Sequence, residues 1–155
     1  MSESSVSAEV YETINTDVQS KVQLNIPSAP EFVGVARLTI SGIASRLQFS
    51  IEEIEEIKIA VSEAITNALQ HGYDSDPNNT IEITCTPTKK AIEVQVKDTG
   101  KGFDPSIIGT PEQKEESEAH LGLGLGITFI KNLMDTLDIK SEKGQGTTIT
   151  FSKNR

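Results

Sequence analysis

Glu63 and Asn67 stand four residues apart in the run Glu63-Ala-Ile-Thr-Asn67. That spacing puts both side chains on one face of a helix, one turn apart. A carboxylate so placed can act as a general base, and a side-chain amide oxygen can bind a hard cation such as Mg²⁺. An ordinary solvated helix face carries the same pair. A second run, Asp98-Thr-Gly-Lys-Gly-Phe103, follows an alternating apolar segment. Its glycines let the backbone bend sharply, as a nucleotide loop or a plain strand-end turn would. Three glycines occur in a third run, Gly122-Leu-Gly-Leu-Gly126, which leads into an apolar periodic stretch. Glycine is costly inside a helix, and exposed N–H groups at a helix start favour phosphate, so an anion site is the better reading and tight packing the other. No Gly-Lys-Ser or Gly-Lys-Thr exists in the chain, which excludes a Walker A loop. The glycines after Asp98 do not open an apolar helix, so a Rossmann fingerprint fits poorly.

The elements that must position these residues are legible as periods. Residues 1–20 are polar and lack a period, and they predict a flexible arm. Val22, Leu24 and Ile26 alternate with polar residues and predict a strand. Ser28-Ala-Pro-Glu31 has the form of a capping box, and Phe32, Val35, Thr39, Ile43 and Leu47 follow at helical spacing. A second capping box, Ser50-Ile-Glu-Glu53, opens the clearest helix, with Ile51, Ile54, Ile57, Val61, Ile65 and Ala68 as its buried stripe. That helix is expected to end near His71-Gly72, with Gly72 in the left-handed conformation. Strands are predicted at Ile81 to Cys85, Ile92 to Val96, Leu137 to Ile139 and Thr147 to Phe151, and a helix from Leu123 through Met134. The pattern predicts an α+β two-layer sandwich, a sheet covered by helices on one face. Residues 21–155 read as a single domain, and residues 104–121, acidic and without an apolar stripe, as a lid-like segment.

Composition narrows the function. A formal net charge of −9 repels phosphate backbones, so direct nucleic-acid binding is not expected. No run is long and apolar enough to span a membrane, and the first twenty residues do not form a secretory signal, so a cytoplasmic protein is expected. One cysteine, Cys85, excludes an internal disulfide, and its alternation with Ile81 and Ile83 predicts a buried thiol. His71 and His120 lack metal-ligand spacing.

Taken together and in this order, the helix with Glu63 and Asn67, the Asp98-x-Gly-x-Gly run, the Gly122–Gly126 segment and Gly146-Thr-Thr148 resemble the GHKL (Bergerat-fold) ATPase and kinase superfamily over about residues 21–152. The stretch Glu55-Glu-Ile-Lys-Ile-Ala-Val-Ser-Glu-Ala-Ile-Thr-Asn-Ala-Leu-Gln-His-Gly-Tyr73 is most similar to the anti-sigma factor serine kinases of the sporulation and general-stress type. Leu125-Gly-Ile through Asn132-Leu-Met-Asp135 resembles the same proteins. The resemblance implies a mixed, mostly antiparallel sheet and an ATP site with its lid at 104–121. By the same likeness, Asp98 hydrogen-bonds the adenine amino group with Thr148 in support, and Asn67 ligates Mg²⁺. Gly100 and Gly102 let the backbone approach the nucleotide, while Gly122, Gly124 and Gly126 line the phosphates. Glu63 is the base for a serine hydroxyl. It further implies a homodimer that sequesters a sigma factor and phosphorylates a STAS-type anti-anti-sigma antagonist, with Arg37 at the partner-binding surface. Ala119-His-Leu121 stands where some relatives carry an arginine, which leaves an ATP-gated binding module without significant kinase activity as the alternative.

Overall fold

The computed structural model describes residues 20–73, 76–107 and 125–155. The expected arm at 1–20 and most of the expected lid at 104–121 fall outside these, as do Gly122, Gly124 and His120. Five strands, β1 (Val22–Pro27), β2 (Thr80–Pro87), β3 (Ala91–Asp98), β4 (Thr136–Glu142) and β5 (Gly146–Asn154), form one sheet in the order β1-β2-β3-β5-β4. Every pairing among the described strands is antiparallel, in keeping with the mostly antiparallel sheet that the family likeness implied. The one break in sequential order is that β5, returning from edge strand β4 by a tight turn, inserts beside β3.

Pleat alternation separates the two faces of this sheet. Ile81, Ile83 and Cys85 of β2, Ile92, Val94 and Val96 of β3, and Ile149 and Phe151 of β5 are buried on one face. The opposite face carries Thr84, Gln95, Lys97, Thr148 and Thr150, none of them buried. Three helices, α1 (Val33–Arg46), α2 (Ile51–Asn67) and α3 (Leu125–Leu133), supply the other half of the apolar core, with α2 packed between its two neighbours. A fully buried Ile such as Ile65 or Ile130 contributes about 1.5–3 kcal/mol through the water it sheds. Burial also holds the Cys85 thiol up to about 12, a neutral and unreactive group in the core.

Helix α2 begins as its sequence requires. The Ser50 side chain accepts the Glu53 N–H (3.1 Å), and Glu53 Oε2 accepts the Ser50 N–H (2.8 Å), closing a reciprocal cap. Its stripe runs as expected from Ile57 to Ala68, but Ile51, in the first turn, is 83% exposed. The other expected box does not form. Ser28 is fully buried at the end of β1, Ala29 occupies the cap position without a side-chain bond, and Pro30–Phe32 makes only a 3₁₀ turn. The stripe of α1 is correspondingly displaced: Ala36, Ile40 and Ala44 face the core, and Val35 is 46% exposed. Small alanines let α1 lie close to α2, an option that counting large apolar residues overlooks.

The end of α2 also differs from expectation. After Asn67 the chain widens into a π-turn, Ala68–Gly72, closed by the Tyr73 N–H on the Ala68 carbonyl (3.1 Å). Gly72 is not in the left-handed conformation. It is required because a Cβ would stand 2.7 Å from Asp98 Oδ1.

Candidate functional site

The end of β3 and strands β4 and β5 border a cleft of about 440 Å³ lined by Asp98, Pro105, Ile139, Ser141, Gly146 and Thr147, among others. Asp98 is the last residue of β3 and pairs with Thr147, the second residue of β5. Its carboxylate is buried, 4% exposed, and Oδ1 accepts the Gly100 N–H at 2.9 Å. Burial raises its pKa above the ordinary carboxylate value, while the N–H groups of Gly100 and Thr147 pull the other way. A carboxylate offers about four lone-pair directions, so these amides leave it able to accept from an outside donor.

The loop after Asp98 is fastened on both sides. The Lys101 N–H donates to the Gly72 carbonyl (3.0 Å) at the end of the α2 segment. Toward the β4–β5 turn, the Phe103 N–H donates to Ser141 Oγ (2.8 Å), and the Gly144 N–H donates to the Lys101 carbonyl (2.6 Å). Backbone occupies the space that a side chain would need: Gly100 packs on the Gly72 carbonyl, and Gly102, at φ +65°, packs on the Glu142 carbonyl. The glycines thus let three chain segments meet at the end of the sheet.

Thr147 and Thr148 divide between the two faces. Thr148 pairs with Lys97 and Lys140 on the open face, whereas Thr147 is buried beside Asp98, with Oγ1 2.7 Å from Ser141 Oγ. Thr147 is therefore the cross-strand neighbour of Asp98, while the expected Thr148, one residue on, also lines the cleft. The pleat sends adjacent residues of β5 to opposite sides. Sequence reasoning quoted both residues, but telling which one pairs with Asp98 requires the register of β5 against β3.

In the last turns of α2, just before the Ala68–Gly72 segment, Glu63 is half-buried and Asn67 is buried, 8% exposed. Glu63 lies against Gly126 in the first turn of α3, where a Cβ would stand 2.8 Å from Glu63 Oε2. The two helices run antiparallel. Their far ends are joined by Lys153, which pairs with Glu56 (2.7 Å) and donates to the Leu133 carbonyl (3.0 Å). The base candidate and the last glycine of the Gly122–Gly126 run are thereby held together. Arg37 is exposed on α1, in a groove of about 360 Å³ that it shares with Leu38, Glu55, Lys58, Ile59, Ser62 and Glu63.

This donor set fits a purine nucleotide with its cation. A buried acceptor stands at one end of the site, and a carboxylate and an amide one helical turn apart stand at the other. Lys97, Lys140 and Glu142 also line the cleft, the two lysines on the open face of the sheet away from the helices. Among the described residues, no group of three His, Cys, Asp or Glu could hold a metal unaided. Magnesium suits that situation, because it binds through one or two protein oxygens and takes the rest from phosphates and water.

A helix-flanked antiparallel sheet with such a site is the architecture of the histidine kinase-like ATPases. The family model of the histidine kinase-like ATPase domain matches residues 26–153. Serine-protein kinase RsbW of Oceanobacillus iheyensis is 40% identical over 136 residues, which are 85% of each chain. The chain belongs to the RsbW serine-protein kinases of the GHKL class, anti-sigma factor kinases that use ATP. The solved structure of the RsbU and RsbW domains of a Mycobacterium tuberculosis protein superposes with a TM-score of 0.61 at 18% identity. That match covers 86% of this chain and 31% of the other, so this chain spans about a third of its length. SiaB in the SiaB–SiaC complex of Pseudomonas aeruginosa, matched over 99% of this chain and 97% of the other, gives a TM-score of 0.57 at 10% identity. At those identities the likeness is one of fold.

Proposed function

We propose that this kinase binds Mg-ATP between Asp98 and Asn67, holds a sigma factor, and phosphorylates a serine on a STAS-domain antagonist, acting as a cytoplasmic homodimer. The observation that carries the proposal is the placement of Glu63 against Gly126, one helical turn from Asn67. Asp98 accepts the hydrogen bond of a purine amino group, with Thr147 as its buried neighbour. Asn67 presents its amide oxygen to the cation, and Gly122, Gly124 and Gly126 are assigned to phosphate binding on the family likeness. Bound Mg-ATP supplies the transferable phosphoryl group and the metal charge that offsets its negative oxygens. Glu63 accepts the proton of the serine hydroxyl, and Arg37, in the groove that leads to Glu63, contacts the partner. Among the described residues no helix is long and apolar enough to cross a membrane.

Calorimetry with Mg-ATP and phosphate transfer to purified STAS-domain proteins test this reading. Saturable binding lost in Asp98→Ala and Asn67→Ala, with an acid-stable phosphoserine that depends on Glu63, is the expected result. Absence of binding by the wild type would overturn it. A Glu63→Ala protein that still regulates its partner without transfer would reduce it to a nucleotide-gated binding module.

A further inference from the structure

The run that carries Glu63 and Asn67 continues into His71-Gly72-Tyr73, and the chemistry above leaves Tyr73 without a task. Tyr73 is buried, 6% exposed, and a buried hydroxyl is costly unless it is bonded. Its Oη donates to the Thr80 carbonyl (3.0 Å) at the start of β2 and accepts the Thr99 N–H at 2.7 Å. Thr99 Oγ1 lies 3.1 Å from the same oxygen. With that hydroxyl donating, the single proton and both lone pairs of the phenol are used.

Thr99 is the residue immediately after Asp98. Its N–H is held by a side chain from the end of the segment that carries Asn67. The π-turn brings Tyr73 into reach: it closes on the Ala68 carbonyl and directs Gly72 toward the Asp98 carboxylate. Asp98 and Asn67 lie on separate elements, and the phenol ties the backbone beside one to the chain leaving the other.

We infer that Tyr73 is a positioning residue for nucleobase choice, holding the Thr99 amide so that Asp98 meets a 6-aminopurine and rejects a 6-oxopurine. The inference rests on the nucleotide reading of the site. A fixed carboxylate accepts from the amino group of adenine and faces an oxygen in hypoxanthine. A carboxylate free to shift reaches the N1–H of hypoxanthine as well, so discrimination depends on how firmly the loop is held.

Tyr73→Phe keeps the ring and removes only the hydroxyl. Three quantities test the role: Mg-ATP and Mg-ITP affinities by calorimetry, amide exchange of Thr99 by NMR in the nucleotide-free protein, and KM and kcat for ATP. The expected result is faster Thr99 exchange, ATP affinity lower by about tenfold, ITP affinity little changed and kcat preserved at saturating ATP. The preference for ATP then shrinks by about the same tenfold. Ile92→Val, a core change in β3 away from the loop, controls for general loosening and keeps the wild-type preference. A Tyr73→Phe protein with the wild-type ATP-to-ITP ratio overturns the role, and so does an Ile92→Val protein that loses the ratio equally. A wild type that binds neither nucleotide overturns the nucleotide reading itself, a failure visible without any variant.

Discussion

Glu63 Oε2 stands 2.8 Å from the point a Cβ on Gly126 would occupy, so the carboxylate of α2 and the first turn of α3 share a space that only glycine leaves open. Gly126→Ala therefore tests the base without touching it. The clash falls on the far end of a flexible side chain, so Glu63 can swing aside at little cost to the fold. Phosphate transfer to the antagonist is expected to fall by about tenfold or more through misplacement, with a thermal midpoint close to wild type. Equal loss of stability and activity would argue that Gly126 serves packing alone.

Asp98 predicts opposite signs for stability and binding. Its pKa is raised by burial, so the stabilisation belongs to the protonated form. That contribution is fully present below the ordinary value of 3.8 and is lost as pH rises through the raised folded value. At neutral pH the nucleotide-free protein carries a buried carboxylate, and Asp98→Asn is expected to raise its melting temperature. The amide oxygen would stay with the Gly100 N–H, and the amide nitrogen would meet the adenine amino group, donor against donor. ATP affinity is expected to fall by about tenfold to a hundredfold. In the wild type, ATP affinity is expected to decline on acidification from a higher pH than an exposed carboxylate would give. Calorimetry across pH, beside thermal melts of both proteins, checks each sign.

Two glycine changes separate the site from the turn beside it. A Cβ on Gly72 would stand 2.7 Å from Asp98 Oδ1, so Gly72→Ala is expected to displace that carboxylate and weaken ATP binding by about tenfold. Gly144, at φ +83°, has nothing within 4 Å of the corresponding point. Gly144→Ala is therefore expected to cost about 1–2 kcal/mol of stability from backbone strain alone, with ATP affinity unchanged. Urea unfolding and ATP titration of the pair provide the comparison.

Lys153 holds the far ends of two helices together through Glu56 and the Leu133 carbonyl, with its side chain only 12% exposed. Lys153→Ala is expected to cost about 1–3 kcal/mol in denaturant unfolding, since it removes a charged hydrogen bond and one half of a shielded pair. Because α2 and α3 also carry Glu63 and Gly126, kcat is expected to drop at temperatures well below the melt. Unchanged kcat there would show that the Glu63 end is held independently of the Lys153 end.

The fold was legible where a single period decides burial. Strand alternation around Cys85, Val94 and Ile149 and the long stripe of α2 need no tertiary information, because a half-buried element must place its apolar residues at its own repeat. The reading slipped where small residues pack or where two solutions compete locally. Ala36 and Ala44 form the buried face of α1 in place of Val35, and Ser28 is buried where a cap was expected. Neither outcome can be told from residue type without the neighbouring helix or strand.

What the sequence alone determined about this protein is its inventory: a carboxylate and an amide at helical spacing, an aspartate ending a strand before two glycines, and a glycine-rich helix entry, enough to indicate a GHKL kinase. Tertiary structure decided which groups meet. Pairing Asp98 with Thr147 depends on the register of β5 against β3. The contact of Glu63 with Gly126 depends on the antiparallel packing of α2 and α3, and the bond from Tyr73 to Thr99 on a π-turn that no residue type announces. The physical reason is common to all three. Periodicity states which face of an element is buried, whereas the residue opposite is chosen by long-range packing between segments far apart in the chain.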